Sequence, residues 1–303
     1  MTENFTRLGE ERLSFSLELF PPKTDKGSEN LLAQIPLVNA IGPRTLCVTS
    51  GAGGTGNNRT LSTIKAIEGK TNVPLTAHLT CIADDRSETQ HLLDDYAEES
   101  IFNIVALRGD TNEAEIGPPD VDSYGNAAAL VRGIRSRRDG DQFHISVAGY
   151  PEVHPKAYSK KADLESLKTK VGEGADLIIS QFFFDPEIFL RFLDDTERFG
   201  IDVPIVPGII VISDFSRISN FAAKCGAHIP DEIAHRFSTV DAGSEEANSL
   251  AGEVATQQCL QLIESGVRTF HFYTLNQLDL VVPICESLLN EFSSKRGTDC
   301  SSS

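Results

Sequence analysis

Chemistry in this sequence has an early candidate in Glu18, a carboxylate set between Leu17 and Leu19 in the apolar run LSFSLELF (13–20). An unpaired charge in such surroundings costs roughly several kcal/mol, so the group must be paired or must take up a proton. Burial that favours the protonated form is what a general acid at neutral pH requires. The plainer alternative is a carboxylate satisfied by an arginine or by backbone donors. A second carboxylate, Asp110, closes IVALRGD (104–110), where Gly109 permits a tight turn and Arg108 offers a cation to a phosphate or to Asp110 itself. His78, in AHLTC (77–81), has no second histidine or cysteine at ligand spacing. Hydrogen bonding in its neutral form suits it better than a metal, and no metal site is expected. His91, His144, His228, His235 and His271 form no readable pattern.

Such residues need elements to hold them in place. Eight short runs rich in β-branched and aromatic residues recur at 13–20, 44–50, 73–81, 102–110, 143–150, 175–184, 203–210 and 269–276. Segments with helical spacing follow at 28–40, 60–69, 86–99, 123–138, 157–173, 186–199, 214–225 and 243–265, with an irregular stretch near 227–242 and a last helix at 278–292. Several runs are apolar almost throughout, as expected of strands covered by helices on one side and side-chain layers on the other. A doubly wound open sheet shares this alternation, but eight units are what closes a parallel barrel. The expected fold is therefore α/β, a (β/α)8 or TIM barrel, formed by one domain over 1–292 with a disordered tail at 293–303. Active sites of such barrels lie at the C-terminal strand ends. Polar residues gather there: Glu18, Thr49, His78 and Thr80, Arg108 and Asp110, Tyr150 with His154 beyond it, Gln181, and Tyr273, Thr274 and Asn276.

Composition narrows the function. Lys and Arg number 27 against 44 Asp and Glu, a formal charge of -17, which repels phosphate backbones and anionic membrane surfaces. Nucleic acid and membrane are thus unexpected partners, and an anionic cofactor would need local positive charge. The six cysteines include no CxxC pair, the N-terminus lacks a signal-peptide pattern, and no apolar run reaches about 18 residues. A cytoplasmic protein with reduced thiols is expected. GAGGTG (51–56) satisfies G-x-G-x-x-G, yet no acidic strand end follows at the required spacing, so a loop approaching a ligand closely is preferred to a dinucleotide fold.

Taken in order, SLELFPPK (16–23), VTSGAGG (48–54), AHLTC (77–81), IVALRGD (104–110), SVAGYPEVHP (146–155), ISQFFFD (179–185), PGI (207–209) and FHFYTLN (270–276) closely resemble the methylenetetrahydrofolate reductase family, in its bacterial, catalytic-domain-only form. The resemblance implies FAD bound noncovalently at the C-terminal face of the barrel, with NADH or NADPH as co-substrate in a ping-pong reaction that yields 5-methyltetrahydrofolate for methionine synthesis. It makes Glu18 the acid that opens the imidazolidine ring at N10, and Asp110 the charge beside flavin and folate. Flavin contacts would come from Thr49, His78, Arg108, Gly109, Asp110, Tyr124, Gly125, Tyr150, His154, Asp163 and Lys170. Substrate contacts would come from Glu18, Asp110, Gln181, Phe221 and Gln277. Gln277 stands where the family pattern carries Arg after YTLN, weakening the clamp on the folate glutamate tail, and Ser166 and Thr169 replace larger polar residues near the FAD adenylate end. The alternatives are a barrel that binds reduced folate without redox chemistry and a reductase for another C1 carrier. The oligomeric state is left open, a homo-oligomer included.

Overall fold

The computed structural model describes residues 12–50, 56–81, 85–109 and 122–299, with only the backbone described at 56–58 and 295–299. Eight parallel strands close into a barrel in sequence order. They are β1 (Ser14–Leu19), β2 (Thr45–Val48), β3 (Leu75–Thr80), β4 (Asn103–Leu107), β5 (His144–Gly149), β6 (Leu177–Phe182), β7 (Ile205–Ile210) and β8 (Thr269–Tyr273). The expected (β/α)8 barrel is what forms. Closure is made by β1 against β8, which sets Ser14, Ser16 and Glu18 opposite Thr269, His271 and Tyr273.

Strand parity decides what each face holds, because successive side chains point to opposite sides. Phe15, Leu17 and Leu19 join Leu46, Val48, Ala77, Leu79, Phe270 and Phe272 in the continuous apolar core. The alternate parity around β8, β1, β2 and β3 is polar. Ser14 meets Thr269 at 2.9 Å, Ser16 meets His271 at 2.8 Å and Thr45 meets Thr76 at 2.7 Å, each pair bridging neighbouring strands. Barrels of this kind are usually filled with branched aliphatic residues, so a polar sector marks the part of the lumen that chemistry uses.

Helices α1 (Asp25–Gln34), α2 (Gly56–Glu68), α3 (Arg86–Glu98), α4 (Ala127–Arg135), α5 (Lys160–Gly172), α6 (Pro186–Arg198), α7 (Phe215–Cys225), α8 (Asp231–Phe237), α9 (Glu245–Glu264) and α10 (Leu278–Asp299) surround the strands. Their starts are chemically marked. Thr24, Asp85, Asn126, Ser159, Asp185, Asp214 and Ser244 each accept a backbone N–H of the first turn, worth about 1 kcal/mol apiece.

Three segments differ from the sequence expectation. The helix expected over 28–40 splits into α1 and a 3-10 helix at Ile35–Ala40, with Pro36, which lacks an N–H, at its start. The stretch near 227–242 contains α8, whose Asp231 and Glu232 in the first turn and His235 and Arg236 in the last suit the helix dipole. Phe237 anchors it by stacking on Phe215 at 5.6 Å. α10 passes the expected end at 292 and runs to Asp299, into the segment expected to lie outside the fold. The hydroxyls of Ser293 and Ser294 donate to the carbonyls of Leu289 and Glu291, continuing the helix rather than breaking it.

Candidate active site

Glu18 is 7% exposed at the C-terminal end of β1, level with Cys47 and Tyr273 on the flanking strands. Its Oε2 lies 3.6 Å from Nε2 of His78 and 3.7 Å from Nε2 of His271. These separations exceed a hydrogen bond, so the contacts are electrostatic. No arginine or lysine pairs with Glu18 among the described residues. Ser16 ties Nδ1 of His271 at 2.8 Å and leaves its Nε2 toward the carboxylate.

Burial tunes the groups around it. His78 is brought down to about 4, chiefly by burial, with the Glu18 charge opposing and His271 adding to the fall. Cys47 is pushed up to about 12 by burial and then by Glu18. Tyr273 is raised well above its usual range for the same two reasons in the same order. His78, Cys47 and Tyr273 are therefore neutral at physiological pH. Tyr273 donates its hydroxyl to the Ser180 carbonyl at 2.8 Å.

A second group forms where β4, β5 and α5 meet. The rings of Tyr150 and His154 meet edge to face at 4.5 Å, and Asp163 accepts the His154 backbone N–H at 3.0 Å. His154 is lowered by burial, raised by Asp163 and lowered by Lys170, Lys156 and Arg108, so these side chains share one electrostatic neighbourhood. Lys170 donates to the Ala148 carbonyl, and burial brings its ammonium down to about 8 against the pull of Asp163. Gly109 turns the chain at φ 91°. This corner supplies the local positive charge that an acidic protein needs to hold a diphosphate.

Two buried polar atoms at strand ends, Thr49 Oγ1 and His78 Nε2, have no hydrogen-bond partner among the described residues. Orphan groups of this kind are rare unless a ligand completes them. Together with Lys170 and Arg108 they fit an anionic cofactor that also carries polar ring atoms, which FAD is.

The remaining predicted residues are placed unevenly. Gln181 sits where the β6–β7 register shifts, and its own carboxamide accepts the Phe182 N–H at 3.0 Å. Phe221, on α7 and 39% exposed, packs on Phe182 at 5.2 Å, and Phe182 meets Tyr273 at 6.1 Å, so an aromatic path leads from the surface to the Glu18 neighbourhood. Gln277 is partly buried and gives its backbone N–H to the Thr274 carbonyl. Tyr124 turns to the groove between α3 and α4, where its hydroxyl accepts from Gln90 at 2.6 Å and Arg86 lies 5.2 Å over its ring. Gly125 follows it at φ 68°. Asp110 and the glycine-rich 51–55 lie outside the described residues.

Comparison with known proteins adds what geometry alone does not. A sequence profile described as Methylenetetrahydrofolate reductase matches residues 4–289. The chain belongs to the methylenetetrahydrofolate reductase family. A 5,10-methylenetetrahydrofolate reductase of Pectobacterium carotovorum is 40% identical over 277 residues, covering 91% of this chain and 90% of that one. The Escherichia coli K12 protein of the same name is 39% identical over 91% of both. Methylenetetrahydrofolate reductase (NADH) 1 of Zea mays is 36% identical over 88% of this chain but only 47% of its own length. Among solved structures, a Clostridium thermocellum protein described as binding two copies of 5-methyl-5,6,7,8-tetrahydrofolic acid aligns with a TM-score of 0.64 over 92% of this chain and 96% of its own, at 11% identity. That last likeness is one of fold alone.

Reading the sequence missed two residues that the barrel of this family member brings to Glu18. His271 and Ser16 share its parity on paired strands, and that alternation was the available signal. No described helix is long and apolar enough to cross a membrane, and no group of three or more His, Cys, Asp or Glu among the described residues could hold a metal ion.

Proposed function

We propose that the chain reduces 5,10-methylenetetrahydrofolate to 5-methyltetrahydrofolate with hydride from NADH or NADPH passed through noncovalent FAD. The observation that carries this reading is Glu18: a buried carboxylate at the C-terminal end of β1, flanked by two histidines and paired with no cation among the described residues. Family membership supplies the substrate class.

Opening the five-membered ring of the substrate needs one proton at N10 as the N10–methylene bond breaks, leaving a 5-iminium cation that accepts hydride at the methylene carbon. Glu18 would give that proton, and His78 and Tyr273, neutral at working pH, would leave the cation's charge to be balanced by carboxylates. Asp110 is assigned that balancing role on the family resemblance. FAD, when bound, supplies the two-electron step that no side chain here can perform. Thr49, His78, Arg108, Gly109, Tyr150, His154, Asp163 and Lys170 would hold it, with Tyr124 and Gly125 assigned to it on the family resemblance alone. Gln181 and Phe221 would meet the pterin or nicotinamide, and Gln277 the folate tail. The partners are thus small molecules, and a homo-oligomer is compatible with the reading.

The test is spectroscopic. Purified protein should carry flavin absorbance that NADH or NADPH bleaches without oxygen and methylenetetrahydrofolate restores, with 5-methyltetrahydrofolate as product. A colourless protein that binds reduced folate, or a bleached flavin that quinone reoxidises and methylenetetrahydrofolate does not, would overturn the reading.

A further inference from the structure

β1 ends at Leu19, yet the chain beyond the β1–β8 seam is tied down by side chains. Asn276 Oδ1 accepts the Phe20 N–H at 2.8 Å and its Nδ2 donates to the Phe20 carbonyl at 2.9 Å, copying the pair of bonds that a ladder partner would make. Thr274 Oγ1 donates to the Glu18 carbonyl at 2.5 Å and accepts the Asn276 N–H at 3.1 Å, which fixes the direction of the hydroxyl. From the other side the Thr49 N–H reaches the Leu19 carbonyl at 2.9 Å. The carbonyls of Glu18, Leu19 and Phe20 are therefore each held. This arrangement requires Leu275 at φ 51° and Asn276 at φ 61°, left-handed backbone that leucine rarely adopts and asparagine tolerates. Backbone kept in so uncommon a state at a strand end, where a catalytic carboxylate begins, points to a role in the site.

We propose that Thr274 and Asn276 are positioning residues: a clamp on the β1 backbone that holds the Glu18 carboxylate at its distance from His78 and His271 during proton delivery. The inference rests on the reductase reading, since it assigns the clamp to the folate step alone. Small displacements of a reacting group cost rate steeply, so a loosened β1 should slow that step selectively.

The experiment uses FAD-loaded enzyme and follows the two half-reactions separately. Asn276→Gly keeps the left-handed backbone and removes the clamp. Asn276→Asp keeps the acceptor for the Phe20 N–H and loses the donor. In Asn276→Gly, flavin reduction by NADH is expected within about twofold of wild type while reoxidation by methylenetetrahydrofolate falls about tenfold or more. Asn276→Asp is expected to recover part of that loss. If Asn276→Gly does not purify folded, Thr274→Val, which removes only the hydroxyl that grips Glu18, should give the same split. The proposal is overturned if both half-reactions are unchanged or fall in parallel. Wild-type flavin that methylenetetrahydrofolate does not reoxidise would instead refute the reductase reading, and the clamp's assignment with it.

Discussion

His271 is suspended between two residues of β1: its Nδ1 lies 2.8 Å from Ser16 Oγ and its Nε2 lies 3.7 Å from Glu18 Oε2. The hydroxyl of Ser16 fixes the ring through Nδ1 and leaves Nε2 facing the carboxylate. His271→Phe should slow flavin reoxidation by methylenetetrahydrofolate about tenfold, and Ser16→Ala roughly threefold, because the ring then loses its orientation. Flavin reduction by NADH should stay near wild type in both. Stopped-flow traces of the two half-reactions check this, and equal losses in both would contradict it.

The buried His78 makes stability depend on acidity. Its folded value, about 4, lies below the ordinary 6.5, so below pH 6.5 the unfolded chain takes a proton that the folded chain refuses. Stability from this group is complete above pH 6.5 and is lost as the pH falls toward 4. By pH 4.5 the loss should reach about 2.5 kcal/mol. Urea unfolding at pH 7 and pH 4.5 should show this increment in wild type and not in His78→Gln.

Lys170 links flavin affinity to pH. Burial lowers its ammonium to about 8 in the flavin-free protein, and a bound diphosphate would favour the charged form. FAD binding should then take up a proton near and above pH 8, so affinity should fall as the pH rises through that range. Titrations of apoprotein should show this slope in wild type and a flat line in Lys170→Met, whose affinity at pH 7 should be about tenfold weaker. A wild-type affinity independent of pH would refute the assignment.

Gly208 lets three strands meet. A Cβ there would stand 2.2 Å from the Ser180 carbonyl oxygen and 2.5 Å from Cε2 of Tyr273, and the Gly208 N–H already donates to the Ser180 hydroxyl oxygen at 2.9 Å. Gly208→Ala should cost about 2 kcal/mol or more, because backbone cannot yield as a flexible side chain can. It should also displace Tyr273 from Ser180. Thermal unfolding would show the first effect and slowed folate reduction the second.

The barrel was legible because every parallel strand buried on both faces leaves a short apolar run, and because segments with helical spacing separate the eight runs. What escaped was set by local competition. Pro36 divided an otherwise helical stretch, and α10 runs on through the polar 293–299, Gly297 included. In the site, Glu18 stood out as a charge in an apolar strand. His271 did not: in FHFY it reads as one more buried strand residue, and its partner Ser16 lies 255 positions away. The Thr274 and Asn276 contacts on β1 were hidden in the same manner, since ring closure creates them and no local pattern announces it.

Glu18 carries the central claim, and Glu18→Gln tests it most directly. The variant keeps the shape of the side chain and removes its acid. Flavin reduction by NADH or NADPH should remain within about twofold of wild type, while reoxidation by methylenetetrahydrofolate should fall about a hundredfold or more. Equal loss of both half-reactions, or an undiminished folate step, would contradict the assignment of Glu18 as the folate-specific acid.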